Sequence, residues 1–305
     1  MTESSGDESL YLTGLPKLRS FLRFVRHQAV DPHSEEALVD EWQQAKQQYR
    51  MLEKSEAGCA DDPKIVPVRP HGEYEPLLRR LLEDPLIRDG FNTVPTEVAF
   101  VELDKLVVYQ KHIDLTYAAE IKERLGTAPG SAEVFRTCLP YDHPAPPSRW
   151  ARVDDESYVF VSRSNDVRFL GAMPLKPENV QGYPHPGALM GVIGLAVGFG
   201  SNFLNVLHAD NRLILHNGSH RAFALREMGF THVPCLVQHV SNRDELSLVA
   251  PTEVVQHANY YLKHPRPSML KDYFNPSLRK VMRVQRVLRQ VKVRFSVSEY
   301  YIPAI

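Results

Sequence analysis

At 305 residues, with 43% hydrophobic and 24% charged side chains, the chain has globular composition and enough apolar material for one large domain or two modest ones. Its longest apolar run, Gly187 to Gly200, is glycine-broken and shorter than the ~20 residues a membrane span needs. Residues Met1 to Leu10 are acidic and polar with no leader pattern, so neither a span nor a secretory leader is expected and a cytoplasmic location is. Three cysteines, Cys59, Cys138 and Cys235, show no paired metal-finger spacing and read as reduced and structural.

The net charge of -1 conceals an uneven distribution. From Lys263 to Arg294 there are ten Lys/Arg against one acid, Asp272, a local balance of +9. Such a block can meet nucleic acid, a phosphorylated ligand, or the acidic remainder of the same chain.

Taken in chain order, Pro16 to Arg26 places Leu18, Phe21, Leu22 and Phe24-Val25 at helical spacing, and Ser34 starts a second helix that runs through Trp42 to about Lys54. Gly58 to Gly72 reads as a linker, and Tyr74 to Leu86 carries Leu77, Leu78, Leu81 and Leu82 on one helical face. A helical N-terminal extension over residues 1–92 follows. Val98 to Leu106 reads as a strand and turn, Leu115 to Leu125 as a helix, and Gly126 to Trp150 as a loop. Tyr158 to Ser162 and Val167 to Leu170 read as a pair of strands joined by the turn Arg163 to Asp166. Leu175 to Pro186 is a proline-interrupted loop, and Gly194, Gly198 and Gly200 suit a tightly packed helix or loop.

Asn202 to Leu207 and Arg212 to Leu215 flank Ala209-Asp-Asn211 as a hairpin. A helix from Ser219 to Met228 stops at Gly229, and a strand covers Val233 to Val240. Ser277 to Val291, with arginines interleaved among apolar residues, reads as a basic amphipathic helix running into a strand. These spans divide the chain into residues 1–92, 93–240 with an insertion at about 126–200, and a basic appendage over 241–305.

The pattern Arg212-Leu-Ile-Leu-His-Asn-Gly-Ser-His-Arg-Ala-Phe followed by Gly229-Phe-Thr-His-Val-Pro-Cys-Leu-Val237 resembles the strand, Gly-x-[His/Arg]-Arg turn, helix and strand of the ParB/sulfiredoxin-like superfamily. Val101-Glu-Leu-Asp-Lys-Leu106 followed by Gln110 resembles that family's opening segment. The resemblance covers under half of the chain. It implies an α+β fold with a mixed-sheet ParB/sulfiredoxin-like domain, and a nucleotide, ATP or another, with Mg²⁺. Sulfiredoxins carry a nucleophilic cysteine where this chain has Ser219, which argues against thiol chemistry. Partition-type proteins carry Glu-Arg-Arg after the glycine and a helix-turn-helix afterwards, and neither is present here. The free serine kinases of the superfamily, with His-His-Arg after the glycine, stand nearer to Ser219-His220-Arg221.

The physics of the turn stands apart from the family. Gly218 permits positive φ or close backbone approach, and the unbonded N–H groups at a helix start favour an anion. Asn217, Gly218, Ser219, His220 and Arg221 are therefore the expected phosphate-binding residues, with Gln110 and Lys111 as further nucleotide contacts; the alternative is a plain helix cap with Arg221 pairing an acid. Glu102 or Asp104, with His220, are the candidate catalytic groups. His208, His216 and His220 cluster in sequence, but a strand-turn-helix junction intervenes and no metal ligands are assigned. Tyr273 and Phe274 either pack in the core or stack on a base.

Three readings follow. The first is a nucleotide-dependent phosphotransferase or hydrolase acting on a small molecule. The second is a DNA- or RNA-binding protein, or nuclease, that uses Arg279 to Arg294. The third is a non-catalytic nucleotide-sensing module. The oligomeric state is open in all three.

Overall fold

The computed structural model describes residues 6–15, 17–143, 145–164, 166–180, 182 and 187–303. The first five residues, Pro16 at the expected start of the first helix, and much of the expected Leu175 to Pro186 loop lie outside them. In chain order the first elements are β1 (Asp7–Leu12), α1 (Leu18–Gln28), α2 (Glu35–Ser55), β2 (Ile65–Pro67), α3 (Tyr74–Leu82) and α4 (Pro85–Gly90). Next come β3 (Thr96–Glu102), β4 (Leu106–Val108), β5 (His112–Asp114), α5 (Leu115–Leu125) and α6 (Ser131–Cys138). Strands β6 (Ser148–Asp154), β7 (Ser157–Ser162), β8 (Val167–Leu175) and β9 (Val192–Phe199) lead to β10 (Asn205–Ala209), β11 (Arg212–Asn217), α7 (Ser219–Glu227) and β12 (His232–Val240). Three short helices, α8 (Arg243–Val249), α9 (Thr252–Gln256) and α10 (Ala258–Lys263), precede β13 (Arg279–Val284) and β14 (Arg289–Arg294). The fold is mixed α and β.

Two compact units result, one of residues 1–142 and 202–286, the other of residues 143–201 and 287–305. At the centre of the first is a six-stranded sheet in the order β2-β3-β12-β10-β11-β4. Strands β3 and β4 are four places apart in it, yet only Leu103 to Lys105 join them. Four flat-sheet spacings amount to about 19 Å, whereas the chain from Glu102 to Leu106 reaches at most about 14 Å. The sheet must therefore curl. Its inside holds the main core, in which Leu103, Leu106, Phe135, Phe203, Phe223 and Tyr273 are fully buried. A second apolar cluster, with Leu207, Ile214 and Met269, lies under α8 to α10.

The hairpin-helix-strand segment forms where the sequence places it. Asp210 and Asn211 adopt left-handed φ of 44° and 64°, as a two-residue hairpin turn requires, and Gly229 stops α7 at φ 94°. Helix α5 spans Leu115–Leu125, capped by Asp114 Oδ1, which accepts from the Tyr117 amide at 2.9 Å.

Elsewhere the structure corrects the sequence reading. The N-terminal region is not purely helical: β1 runs antiparallel between β5 and β13, pairing Asp7 with Val284 and Ser9 with Asp114. Helices α1 and α2 pack Phe21, Val25 and Leu38 against Tyr11 and Met282 of that three-stranded sheet. The expected basic helix over Ser277 to Val291 is instead two strands, because β13 takes its hydrogen bonds from β1, and β14 takes its own from β7. The expected loop from Gly126 contains α6. Gly194 and Gly198 lie in a strand, β9, not in a helix or loop.

In the second unit, β6, β7 and β14 form a three-stranded antiparallel sheet, while β8 pairs with β9. Tyr158 to Ser162 and Val167 to Leu170 are thus strands as expected, but not partners of each other.

Candidate functional site

Strand β11 ends at Asn217, whose Oδ1 accepts from the Gly218 amide at 2.8 Å. Gly218 sits at φ 93°, ψ 23°, and a Cβ there would meet Leu204 atoms at 3.0–3.2 Å. The first helical bond runs from the Ala222 amide to the Gly218 carbonyl at 2.9 Å. The Ser219 and His220 amides therefore have no acceptor within the helix, and they carry the positive end of the α7 dipole. The Ser219 side chain is buried.

Parallel pairing of β4 with β11 brings the Tyr109 to His112 segment to the same edge, since Val108, the last residue of β4, lies opposite Leu215, two residues before β11 ends. The Tyr109 hydroxyl donates to the His216 carbonyl at 2.9 Å and pins the two connections together. On this edge the Gln110 carbonyl accepts from the Tyr273 hydroxyl at 2.5 Å and the Lys111 carbonyl from the Leu12 amide at 2.8 Å. The connection carrying Gln110 and Lys111 thus runs along the edge from which the Gly218 turn leaves β11. Lys111 Nζ lies 3.6 Å from Glu253 Oε1 of α9, and that oxygen also accepts from the Tyr261 hydroxyl at 3.3 Å.

Arg221 does something else. Its Nη1 donates to the carbonyls of Thr137, Cys138 and Asn202 at 3.1, 3.2 and 2.7 Å, and the side chain is 6% exposed. A guanidinium at the C-terminus of α6 meets the negative end of that helix's dipole and ties it to the segment entering β10. Its Nη1 is thus committed to backbone, where the sequence reading expected a phosphate contact.

His220 packs edge-on against Tyr117 at 5.6 Å between ring centroids. Its Nε2 is buried with no hydrogen-bond partner among the described residues. Burial, then the neighbouring His112 and Arg221, pushes its pKa down to about 4, so the ring is neutral at pH 7 and not a ready acid.

The nominated carboxylates are not at the turn. Asp104 accepts from Arg226 Nε and Nη2 at 2.6 and 3.1 Å, and Arg226 lies seven residues along α7 from Ser219, about 10 Å at 1.5 Å per residue. Glu102 lies opposite His232, next to the Leu103 amide that donates to Thr231 at 2.8 Å. Both candidate bases therefore border the far end of α7. Glu253, which the sequence reading passed over, is the carboxylate that borders Lys111; no sequence signal marks it, because the pairing spans 142 positions.

The histidines separate likewise. His216 Nδ1 lies 3.3 Å from Asn205 Nδ2, which donates to Gln238 Oε1 at 2.9 Å. His208 Nδ1 meets His239 Nδ1 at 3.1 Å, and His239 Nε2 meets Glu97 Oε1 at 2.9 Å. No group of three or more His, Cys, Asp or Glu among the described residues is arranged to hold a metal ion.

The basic segment meets the chain's own acids. Lys280 bonds to Glu41 at 2.8 Å, Arg283 to Asp31 at 2.5 Å and Arg286 to Asp7 at 2.7 Å. Buried Arg266 bonds to Asp272 at 2.5 Å and to Glu56 at 3.0 Å. Tyr273 is fully buried, and Phe274 is held between Phe223, 4.7 Å away, and the Arg226 guanidinium, 4.0 Å away. Packing, not base stacking, is what these two rings do. No helix among the described residues is long and apolar enough to cross a membrane.

Comparison with protein-family models, curated proteins and solved structures finds no match.

Proposed function

We propose that this chain binds a nucleotide, with its phosphates at the start of α7 and Lys111 as the neighbouring cation. The observation that carries this reading is the juxtaposition of two connections at one sheet edge. There the left-handed Gly218 turn starts α7, so the Ser219 and His220 amides have no acceptor within that helix, and the connection after β4 carries Gln110 and Lys111 along the same edge. Backbone amides at a helix start, a glycine that permits close approach and a nearby lysine are what an anionic phosphate requires. The resemblance of Asn217 to Arg221 and of Val101 to Gln110 to the ParB/sulfiredoxin-like superfamily supports a nucleotide over a simple anion.

Binding is the reading the geometry favours over catalysis, since Glu102 and Asp104 lie toward the other end of α7. Phosphoryl transfer to a small molecule, or nucleotide hydrolysis, is the second reading, and it rests on Glu253 beside Lys111. Mg²⁺ takes one or two carboxylates and fills its remaining positions with phosphate and water, and Glu253 is the carboxylate this edge supplies. Thermal shift with ATP, ADP, CTP and GTP, with and without Mg²⁺, tests the proposal. At least one nucleotide should raise the Tm of the wild type in a saturable manner, and Lys111→Ala, a half-exposed position, should lose most of that shift while retaining its own Tm. If no nucleotide stabilises the wild type, or if Lys111→Ala responds equally, the reading fails.

A further inference from the structure

The second unit carries a surface that the nucleotide reading does not use. Registers across β6, β7 and β14 align Ser148, Ser162 and Arg289 in one row, Trp150, Phe160 and Val291 in a second, and Arg152, Tyr158 and Val293 in a third. Because alternate residues of a strand share a face, these rows lie on one side of the sheet. The rings touch in sequence: Phe160 stacks on Trp150 at 6.2 Å, Trp150 meets Tyr158 at 6.3 Å, and Tyr158 stacks on Phe295 at 6.5 Å. Strand β6 is exposed along its whole length, and Trp150 is 68% exposed. A tryptophan this open contributes little to a core.

Charge selects the occupant. Arg289, at the start of the first row, and Arg163, just past the end of β7, are exposed at one end of the sheet, while Arg149, opposite Val161, lies on the other face. At the other end Arg152 pairs with Asp155 at 2.7 Å, and Lys292 lies 4.0 Å from Asp154. An aromatic row leading from two arginines suits a chain that alternates flat rings with anions. A membrane or an apolar peptide would need a continuous apolar face, and duplex DNA hides its rings.

We propose that the β6-β7-β14 sheet binds single-stranded nucleic acid, with bases stacked along Trp150, Phe160 and Tyr158 and phosphates met by Arg163 and Arg289. Stacking on exposed aromatics is sequence-tolerant, and removing one such ring weakens binding about five- to hundredfold. The basic character of the C-terminal region thus acts here through β14, while Lys280 and Arg283 of β13, and Arg286 after it, pair with Glu41, Asp31 and Asp7.

The chain has two tryptophans, so in a full-length Trp42→Phe variant Trp150 alone reports. Titration with a labelled oligo-dT or oligo-U of about fifteen nucleotides should quench that fluorescence and raise the anisotropy of the label together, with affinity falling as salt rises. A duplex of equal length should bind at least tenfold more weakly. Trp150→Ala, tested for an unchanged thermal melt, should lose about tenfold, and Arg163→Ala/Arg289→Ala should flatten the salt dependence. Absence of saturable oligonucleotide binding at low salt, equal affinity for duplex, or full binding by Trp150→Ala would each overturn the proposal. None of these outcomes bears on the Gly218 turn, which Lys111→Ala tests separately.

Discussion

The Arg221 guanidinium lies where one helix ends, although its sequence position is where another begins. Three main-chain carbonyls depend on its Nη1, and a buried acceptor left without a donor costs about 1–3 kcal/mol. Arg221→Met, which keeps much of the side-chain volume, should therefore lower unfolding free energy by roughly 3 kcal/mol or more in urea melts. A loss below 1 kcal/mol would mean that the three contacts are dispensable. His220 gives a prediction in pH. With the folded value at about 4 and the ordinary one at 6.5, the unfolded chain takes up the proton first. The His220 contribution is complete above pH 6.5 and falls as pH drops toward 4, by at most roughly 3 kcal/mol. His220→Gln should flatten the stability profile across that window, and parallel urea melts at pH 4.5 and 7 check it. That this turn residue binds three backbone carbonyls was not legible in the sequence, because Thr137, Cys138 and Asn202 are brought to Arg221 only by the packing of α6.

At the scale of elements, α7 is the piece the sequence describes best. Its start at a glycine, its stop at Gly229 and the hairpin before it are all set by residues within a few positions, which is where local conformational preference is strong. Gly218→Ala tests this directly. The left-handed backbone costs about 1–2 kcal/mol for a residue with a Cβ, and the crowding against Leu204 adds to it, so a loss of about 2 kcal/mol or more is expected in denaturant melts. The β1-β13 pair was illegible for the opposite reason. Asp7 meets Val284 across nearly the whole chain, and Arg279 to Val284, with Val281, Met282 and Val284 among cations, satisfies a helical spacing as readily as a strand. Non-local hydrogen bonding decided between them.

For the whole molecule, the local +9 balance resolves largely into internal ion pairs. A triple variant, Asp7→Asn/Asp31→Asn/Glu41→Gln, removes the partners of Arg286, Arg283 and Lys280. It should elute later from heparin and bind duplex DNA more tightly than the wild type, with melting temperature little changed, because solvent-screened ion pairs contribute little to stability. Unchanged elution would show that the three cations are not masked by these acids. The sign of the segment's charge was plain in the sequence; which acids answer it depended on where β1 and α2 pack. The candidate site was half legible in the same sense. Gln110, Lys111 and the Asn217 to Ser219 turn come together through parallel β4-β11 pairing, whereas Glu102 and Asp104 are carried to the other end of α7.

The most direct test of phosphate binding at that turn is the backbone amide spectrum of ¹⁵N-labelled full-length protein titrated with inorganic phosphate and with ATP. The account predicts saturable shifts concentrated at Gly218, Ser219, His220 and Lys111, with Arg226 and Asp104 at the far end of α7 unmoved. Saturable nucleotide binding that leaves the Ser219 and His220 amides in place would contradict it.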